Sequence, residues 1–318
     1  MTTAPGRSES GRLGEDPVVV LCAVGPLAEP LRARFPDVVV VDISGGLPAG
    51  VEGEVLFGGM GQPSVDAMGR GIRWVQWIGT GIDTLPPEIR AAELLTTARG
   101  SSAVAISEYV IAAMASFSRN FPDSWVHEPP EQWNYQPAVT LAGATVALFG
   151  FGGIAQRVAR IALALDMSVV AQRWTDAPSP ISGVKMAGSF AELVVEADHL
   201  VLAAPATDET RHVINAASLA HVKPGLHLVN IARGSLVDQD ALRIALDDGT
   251  VARASVDVTD PEPLPAGHWL YQHPKVFLTP HSSWSGRPPF SGSFEIFCDN
   301  LARYLAGQPL QHLVHDGY

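Results

Sequence analysis

The chain has 318 residues, 47% of them hydrophobic, enough to bury one large domain or two medium ones. Its formal net charge of −12 argues against nucleic acid or an anionic membrane surface as the main partner, yet allows a locally positive pocket for a small anion. Cys22 and Cys298 lie outside any C-x-x-C or Cys/His cluster and read as two reduced, buried thiols of a cytoplasmic protein without a metal site.

In chain order, residues 1–16 read as a disordered polar tail without the apolar stretch of a secretory signal. No later apolar run reaches the length of a membrane span. From residue 17 to 100, short apolar strands at 18–22, 38–41, 55–57 and 74–78 alternate with helical spacing in PLAEPLRARF and SVDAMG. A long apolar helix is predicted over 101–121, followed to about 140 by a stretch carrying Trp125 and Trp133. Strands then recur at 145–150, 168–171, 199–204, 226–231, 254–258 and 276–279. They are continuously apolar, as parallel strands covered on both faces must be. Between them, Ile154, Val158, Ile161 and Leu165 share one helix face. Ser189 and Glu192 form a capping-box pattern, and Asp238 and Gly249 mark the start and stop of another helix. SFEIFCDNLARYLAGQPL closes the chain as an amphipathic helix. Repeated strand–helix alternation in two blocks predicts an α/β fold with doubly wound parallel sheets.

VALFGFGGIAQ places Gly150, Gly152 and Ala155 in a G-x-G-x-x-[G/A] frame, after an apolar strand and at the start of a helix. Gly150 permits the tight turn, Gly152 lets backbone approach a pyrophosphate, and Ala155 keeps helix and strand close. The N–H groups around Gly153 and Ile154 would face the phosphates. The next strand ends in Gln172 and Arg173 where an NAD-binding chain usually offers a carboxylate to the ribose. A guanidinium there suits a 2′-phosphate, so NADP(H) is favoured over NAD(H). Asp176 is the rival, because it could fold back and restore NAD preference.

Later strand ends carry Arg233, then Asp257 with Glu262 in the loop beyond, then His281 after a proline. In an open α/β sheet these converge outside the carboxyl ends of the strands. They are the groups needed to reduce a 2-keto acid. A cation grips the substrate carboxylate and polarises its carbonyl, and a proton donor meets the developing alkoxide. A carboxylate beside that donor orients it and favours its protonated form.

At these residues the sequence resembles the D-isomer-specific 2-hydroxyacid dehydrogenases. GFGGIAQRVA, HVINAASLAHVKPGLHLVNIARGSLVDQDAL, SVDVTDPEPLP and TPH carry the resemblance, and VQWIGTGIDTLP, ARGSSAVAISEYV and DNLARYLAGQPLQHLV extend it. It implies a Rossmann nucleotide-binding domain over 101–285 and a smaller flavodoxin-like substrate domain from 17–100 with 286–318, with a cleft between them. It also implies roles. Arg233 becomes the carbonyl-polarising arginine, His281 the acid/base and Glu262 its partner. Asp257 becomes the acceptor for the nicotinamide carboxamide. Ala204, Pro205, Thr210 and Ala232 become cofactor-binding residues, and the loop Gly79-Thr80-Gly81 holds the substrate carboxylate. A homodimer through the segment near 101–140 is implied as well. Trp284 stands where the family often has a small-residue turn. It either walls the substrate pocket, with Phe57 or Met60 opposite, or packs in a core.

The implied activity is NADPH-preferring reduction of a small 2-keto acid such as glyoxylate or hydroxypyruvate, giving the D-2-hydroxy acid. A 3-phosphoglycerate dehydrogenase-like enzyme and a non-enzymatic, nucleotide-sensing co-repressor-like protein are the alternatives.

Overall fold

The computed structural model describes residues 16–83, 85–134, 138–175, 177–286, 288 and 290–314. The expected polar tail, apart from Asp16, lies outside them. The chain divides into two compact units, Met1–Ser102 with Gly286–Tyr318, and Ala103–Ser285.

The first unit carries strands β1 (Val19–Cys22), β2 (Val39–Asp42), β3 (Val55–Gly58), β4 (Trp74–Trp77) and β5 (Leu94–Thr97). Helices α1 (Gly25–Arg34), α2 (Gln62–Ala67) and α3 (Pro87–Arg90) connect them. All pair in parallel in the order β2-β1-β3-β4-β5, the flavodoxin-like arrangement. The sequence reading missed β5. Its Thr96 and Thr97 interrupt the apolar run, but both are buried, and the Thr96 hydroxyl accepts from Trp74 Nε1 at 2.8 Å.

The second unit opens with α4 (Ala103–Ser118). Strands β6 (Thr145–Phe149), β7 (Ser168–Gln172), β8 (Val184–Met186), β9 (His199–Leu202), β10 (Leu226–Asn230), β11 (Val251–Val256) and β12 (Val276–Leu278) follow. They alternate with α5 (Gly153–Ala164), α6 (Phe190–Val194), α7 (Ala216–Leu219) and α8 (Gln239–Asp248). The sheet is wholly parallel, in the order β12-β11-β10-β9-β6-β7-β8. The chain therefore starts at β6, builds outward through β7 and β8, and returns to the other side of β6 with β9. That reversal between β6 and β9 is the topological switch of a dinucleotide-binding sheet. The sequence reading missed β8, a three-residue edge strand, VKM, with no apolar run to signal it.

After the second unit the chain returns to the first as α9 (Ser291–Leu305). Phe297 of α9 stacks on Phe57 with centroids 4.2 Å apart, and Tyr304 stacks on Trp74 at 5.2 Å. Both cysteines are free and lie in this core. Burial pushes their thiols up, Cys22 to about 11 and Cys298 to about 12.

The second sheet buries an uncommon polar pair. His199 and His227, opposite each other on β9 and β10, meet at 3.0 Å between their Nδ1 atoms. One Nδ1 must carry the hydrogen and the other accept it, so at least one of the two rings must be neutral for the contact to hold. His227 Nε2 meets Ser255 Oγ at 2.9 Å. Burial pushes His199 down from 6.5 to about 4 and His227 well below its usual value. Below pH 6.5 the unfolded chain therefore binds more protons than the folded one, and stability falls as the pH drops toward 4. Each such histidine contributes up to about 1.4 kcal/mol per pH unit. Urea unfolding should show a lower midpoint at pH 5 than at pH 7. In the double variant His199→Gln, His227→Gln the slope should flatten, and an unchanged slope would contradict this origin.

Candidate active site

Because all seven strands of the second sheet are parallel, their carboxyl ends share one edge. Gly150 follows β6 with φ +93°, a conformation that suits glycine. A Cβ there would stand 2.6 Å from Ala204 N, so the turn lies directly against the loop after β9. Its N–H donates to Gln172 O at the end of β7, and Ala203 N–H donates to Phe149 O. Gly152 caps α5, and nothing lies within 4 Å of a Cβ built on Gly152 or Gly153. Ala155, only 1% exposed, seats α5 on the sheet. The turn thus presents open space at the start of a helix, a fit for a dinucleotide's pyrophosphate.

At the end of β7, Arg173 Nη2 donates to Pro178 O at 3.1 Å. Arg173 Nε and Gln172 Oε1 are buried without a hydrogen-bond partner. Asp176, the rival carboxylate, lies outside the described residues. After β9, Ala204 is buried and Pro205 exposed. The Thr210 hydroxyl donates to Pro205 O and accepts from Thr207 N–H, both at 2.8 Å, so it shapes this loop from within.

Asn230, buried at the end of β10, builds the Arg233 turn. Its Oδ1 accepts from Ala232 N–H at 3.1 Å, and its Nδ2 donates to Arg233 O at 2.9 Å. Arg233 is half-buried, and its Nη1 donates to Ala232 O at 2.7 Å. Gly234 then presses on the next loop: a Cβ on it would fall 1.9 Å from Thr259 C. That loop carries Glu262, so Arg233 and Glu262 rest on two backbones in direct contact.

Register aligns Asn230, Val256 and Leu278 on neighbouring strands. Asp257 and His281 therefore follow in adjacent connections. His281 adopts φ +50°, a left-handed backbone unusual for a side chain that is not glycine. Its Nδ1 stands 2.5 Å from Glu262 Oε1, and both side chains stay about 40% exposed. The Glu262 contact engages Nδ1 and not Nε2. Asp257 is 1% exposed. Its Oδ1 accepts from Thr279 Oγ1 at 2.5 Å and Ser282 N–H at 2.8 Å, and its Oδ2 accepts from Ser283 N–H at 3.0 Å. Trp284 is 38% exposed and donates its indole N–H to His281 O at 2.7 Å.

In the first unit the Gly79-Thr80-Gly81 loop follows β4, with Thr80 exposed. Gly79 O accepts from Ala98 N–H. A Cβ on Gly79 would come 2.9 Å from Trp77 Nε1. One expectation is corrected here. Phe57 is fully buried against Phe297 in the core of its own unit and is not a pocket wall. The adjacent Met60 is 87% exposed. The physical reason is cover: every residue of β3 is buried and α9 lays Phe297 on Phe57, whereas Met60 lies past the strand's end.

Among the described residues no cluster of three or more His, Cys, Asp or Glu could hold a metal, and no helix is long and apolar enough to cross a membrane.

Residues 111–283 match the family model for the NAD binding domain of D-isomer specific 2-hydroxyacid dehydrogenases. The chain belongs to that family. The dehydrogenase's expected second-unit site, from Gly150 to His281, falls inside the matched region, whereas Gly79, Thr80, Gly81 and Trp284 fall outside it. The family member is 33% identical over 240 residues to D-3-phosphoglycerate dehydrogenase 2, chloroplastic, of Arabidopsis thaliana, covering 72% of this chain and 38% of that one. Against (S)-sulfolactate dehydrogenase of Chromohalobacter salexigens it is 33% identical over 252 residues, covering 76% and 78%. A solved structure of a D-isomer specific 2-hydroxyacid dehydrogenase family protein from Aeromonas salmonicida superposes with TM-score 0.82 at 26% identity, covering 95% and 99%. The aligned part is 35% to 55% of the length of several curated relatives.

Sequence reasoning missed Asn230, Thr279 and Tyr109. Asn230 had a readable signal, an Asx residue at a strand end before a turn. Thr279 and Tyr109 lie within the TPH and ARGSSAVAISEYV motifs, but nothing signalled their pairing, since they are 170 positions apart and meet only in the fold.

Proposed function

We propose that the dehydrogenase reduces a small 2-keto acid of the glyoxylate or hydroxypyruvate type to the D-2-hydroxy acid, preferring NADPH. The observation that carries this reading is the His281–Glu262 pair at 2.5 Å, one connection away from Arg233 at the same sheet edge. A nicotinamide cofactor supplies the hydride when bound. Gly150, Gly152, Gly153 and Ile154 would hold its pyrophosphate, and Ala204, Pro205, Thr210 and Ala232 would line its path. Asp257 Oδ2 would offer its other lone pair to the carboxamide, because among the described residues Ser283 N–H alone binds it. Arg233 polarises the substrate carbonyl and His281 Nε2 gives the proton to the oxygen. Glu262 holds the imidazole by Nδ1, which sets the tautomer. The N–H groups of Gly79, Thr80 and Gly81 would take the substrate carboxylate. Trp284, its ring anchored to His281 O, would limit substrate size.

Arg173 supports the NADPH preference, because it follows the end of β7, where an NAD-binding chain usually offers a carboxylate. Purified protein should oxidise NADPH, read as absorbance loss, in a panel of glyoxylate, hydroxypyruvate, pyruvate and longer 2-keto acids. No turnover with any of them, despite cofactor binding, would refute the reading. Arg173→Ala should weaken NADPH affinity by about tenfold or more and leave NADH little changed. Equal loss for both would contradict a 2′-phosphate contact. The likeness to the Arabidopsis enzyme keeps 3-phosphoglycerate oxidation as a second reading, tested by adding that substrate with NAD to the panel.

A cytoplasmic homodimer through the segment after α4 completes the proposal. Phe121, Trp125, Val126, Trp133 and Val139 expose large apolar surface there. Sedimentation of the wild type as a dimer, shifted toward monomer by Trp125→Glu, would support it, and a monomeric wild type would not.

A further inference from the structure

We propose that Thr279, oriented by Tyr109, is a positioning residue for His281, because its hydroxyl fixes the Asp257 carboxylate that gathers the turn carrying the imidazole. The inference rests on the reading of His281 as acid/base.

The hydrogen-bond directions follow from counting protons. Thr279 Oγ1 lies 2.5 Å from Asp257 Oδ1 and 2.8 Å from Tyr109 Oη. A carboxylate only accepts, so the single threonine proton goes to Asp257. Tyr109 must then donate to Thr279 Oγ1. Burial pushes the Tyr109 phenol up, with the Asp257 charge adding to the effect, so the group stays a neutral donor. The relay therefore runs one way, from Tyr109 on α4 through Thr279 to Asp257.

Asp257 in turn collects the chain around His281. Its carboxylate takes Ser282 and Ser283 N–H, and its carbonyl takes His281 N–H at 2.8 Å. Three consecutive amides thus converge on one residue. They hold His281 at φ +50°, a backbone that an unrestrained histidine seldom keeps. If Oδ1 lost its hydroxyl donor, the carboxylate could rotate about its χ2, and the Ser282 and Ser283 contacts would loosen together. The imidazole would then drift from Glu262 and from the substrate oxygen. Small displacements of a proton donor cost rate far more than binding.

The test compares Thr279→Val, which keeps the shape and removes the hydroxyl, with Thr279→Ser, which restores it, and with Tyr109→Phe. For each, kcat and KM with the active 2-keto acid are measured, together with the NADPH dissociation constant by fluorescence and the thermal midpoint. Thr279→Val should lose about tenfold to a hundredfold in kcat at saturating NADPH, with KM within about threefold of wild type and a smaller loss of cofactor affinity, since Asp257 is also the proposed carboxamide acceptor. Thr279→Ser should return within about threefold, and Tyr109→Phe should lose about threefold to tenfold. A residue that only stabilised the fold would lower the midpoint without this kcat-specific loss. One that only served the cofactor would change the dissociation constant instead. Wild-type kcat in Thr279→Val, with His281→Ala inactive, overturns the proposal alone. Turnover surviving in His281→Ala overturns the reading beneath it. Should Thr279→Val not fold, Tyr109→Phe decides: wild-type kcat in that variant overturns the relay.

Discussion

Replacing His281 by alanine is expected to lower kcat by roughly a hundredfold to ten-thousandfold while cofactor affinity stays near wild type. The imidazole is the proton donor assigned to the proposed reaction. It stands half-exposed past β12, and Glu262 occupies Nδ1 and leaves Nε2 directed elsewhere. In the proposed reaction it contacts the transition state and not the cofactor, so the loss should fall on kcat. Glu262→Gln should produce a smaller fall, on the order of tenfold to a hundredfold, because a neutral amide still accepts from Nδ1 but holds the ring by a weaker bond than a carboxylate does. Steady-state kinetics with saturating cofactor, alongside fluorescence titration of NADPH, separates the two quantities. Activity retained in His281→Ala would remove the acid/base assignment.

The second large effect is expected from Gly234→Ala. A methyl group there would sit 1.9 Å from Thr259 C, 2.2 Å from Thr259 O and 2.4 Å from Asp260 N. These are backbone atoms and cannot swing aside as a flexible side chain does. The two loops must separate, at a cost of about 3 kcal/mol or more in stability. Because one loop carries Arg233 and the other Glu262, kcat should collapse in the same variant. Chemical unfolding and steady-state kinetics check both. A contrast is available at Gly249, whose Cβ would meet nothing within 4 Å but whose φ is +86°. Gly249→Ala should cost only about 1 kcal/mol and leave kcat unchanged. If Gly234→Ala behaved like Gly249→Ala, the close approach of the two loops would be in doubt.

Much of the architecture was legible because its signals are local. Gly150 and Gly152 between an apolar strand and an amphipathic helix mark a dinucleotide turn by spacing alone, and α5 begins at Gly153. Ser189 and Asp238 cap their helices through their own side chains, as their positions before helical patterns suggested. The elements that escaped notice lack such signals. β8 has three residues at a sheet edge, and β5 ends in two threonines whose burial is decided by neighbouring strands. The sequence reading placed a strand over 254–258, but β11 spans Val251–Val256, so Asp257 follows it rather than ending it. Pairing with β10 sets that boundary, and pairing is not a property of the segment itself.

The sequence by itself determined the chemistry on offer: a glycine turn, an arginine, two carboxylates and a histidine, each at the end of an apolar run. Residue type and spacing suffice for that, since hydride-transfer partners and phosphate turns demand particular groups in particular frames. Only the tertiary structure decided what each group does with its bonds. Phe57 could line a pocket or fill a core until α9 brought Phe297 against it. Asp257 could face a cofactor alone until the turn after β12 folded back to give it Thr279, Ser282 and Ser283. Hydrogen bonds and stacking join residues distant along the chain, and their short range makes them answer to three-dimensional position, which no local pattern encodes.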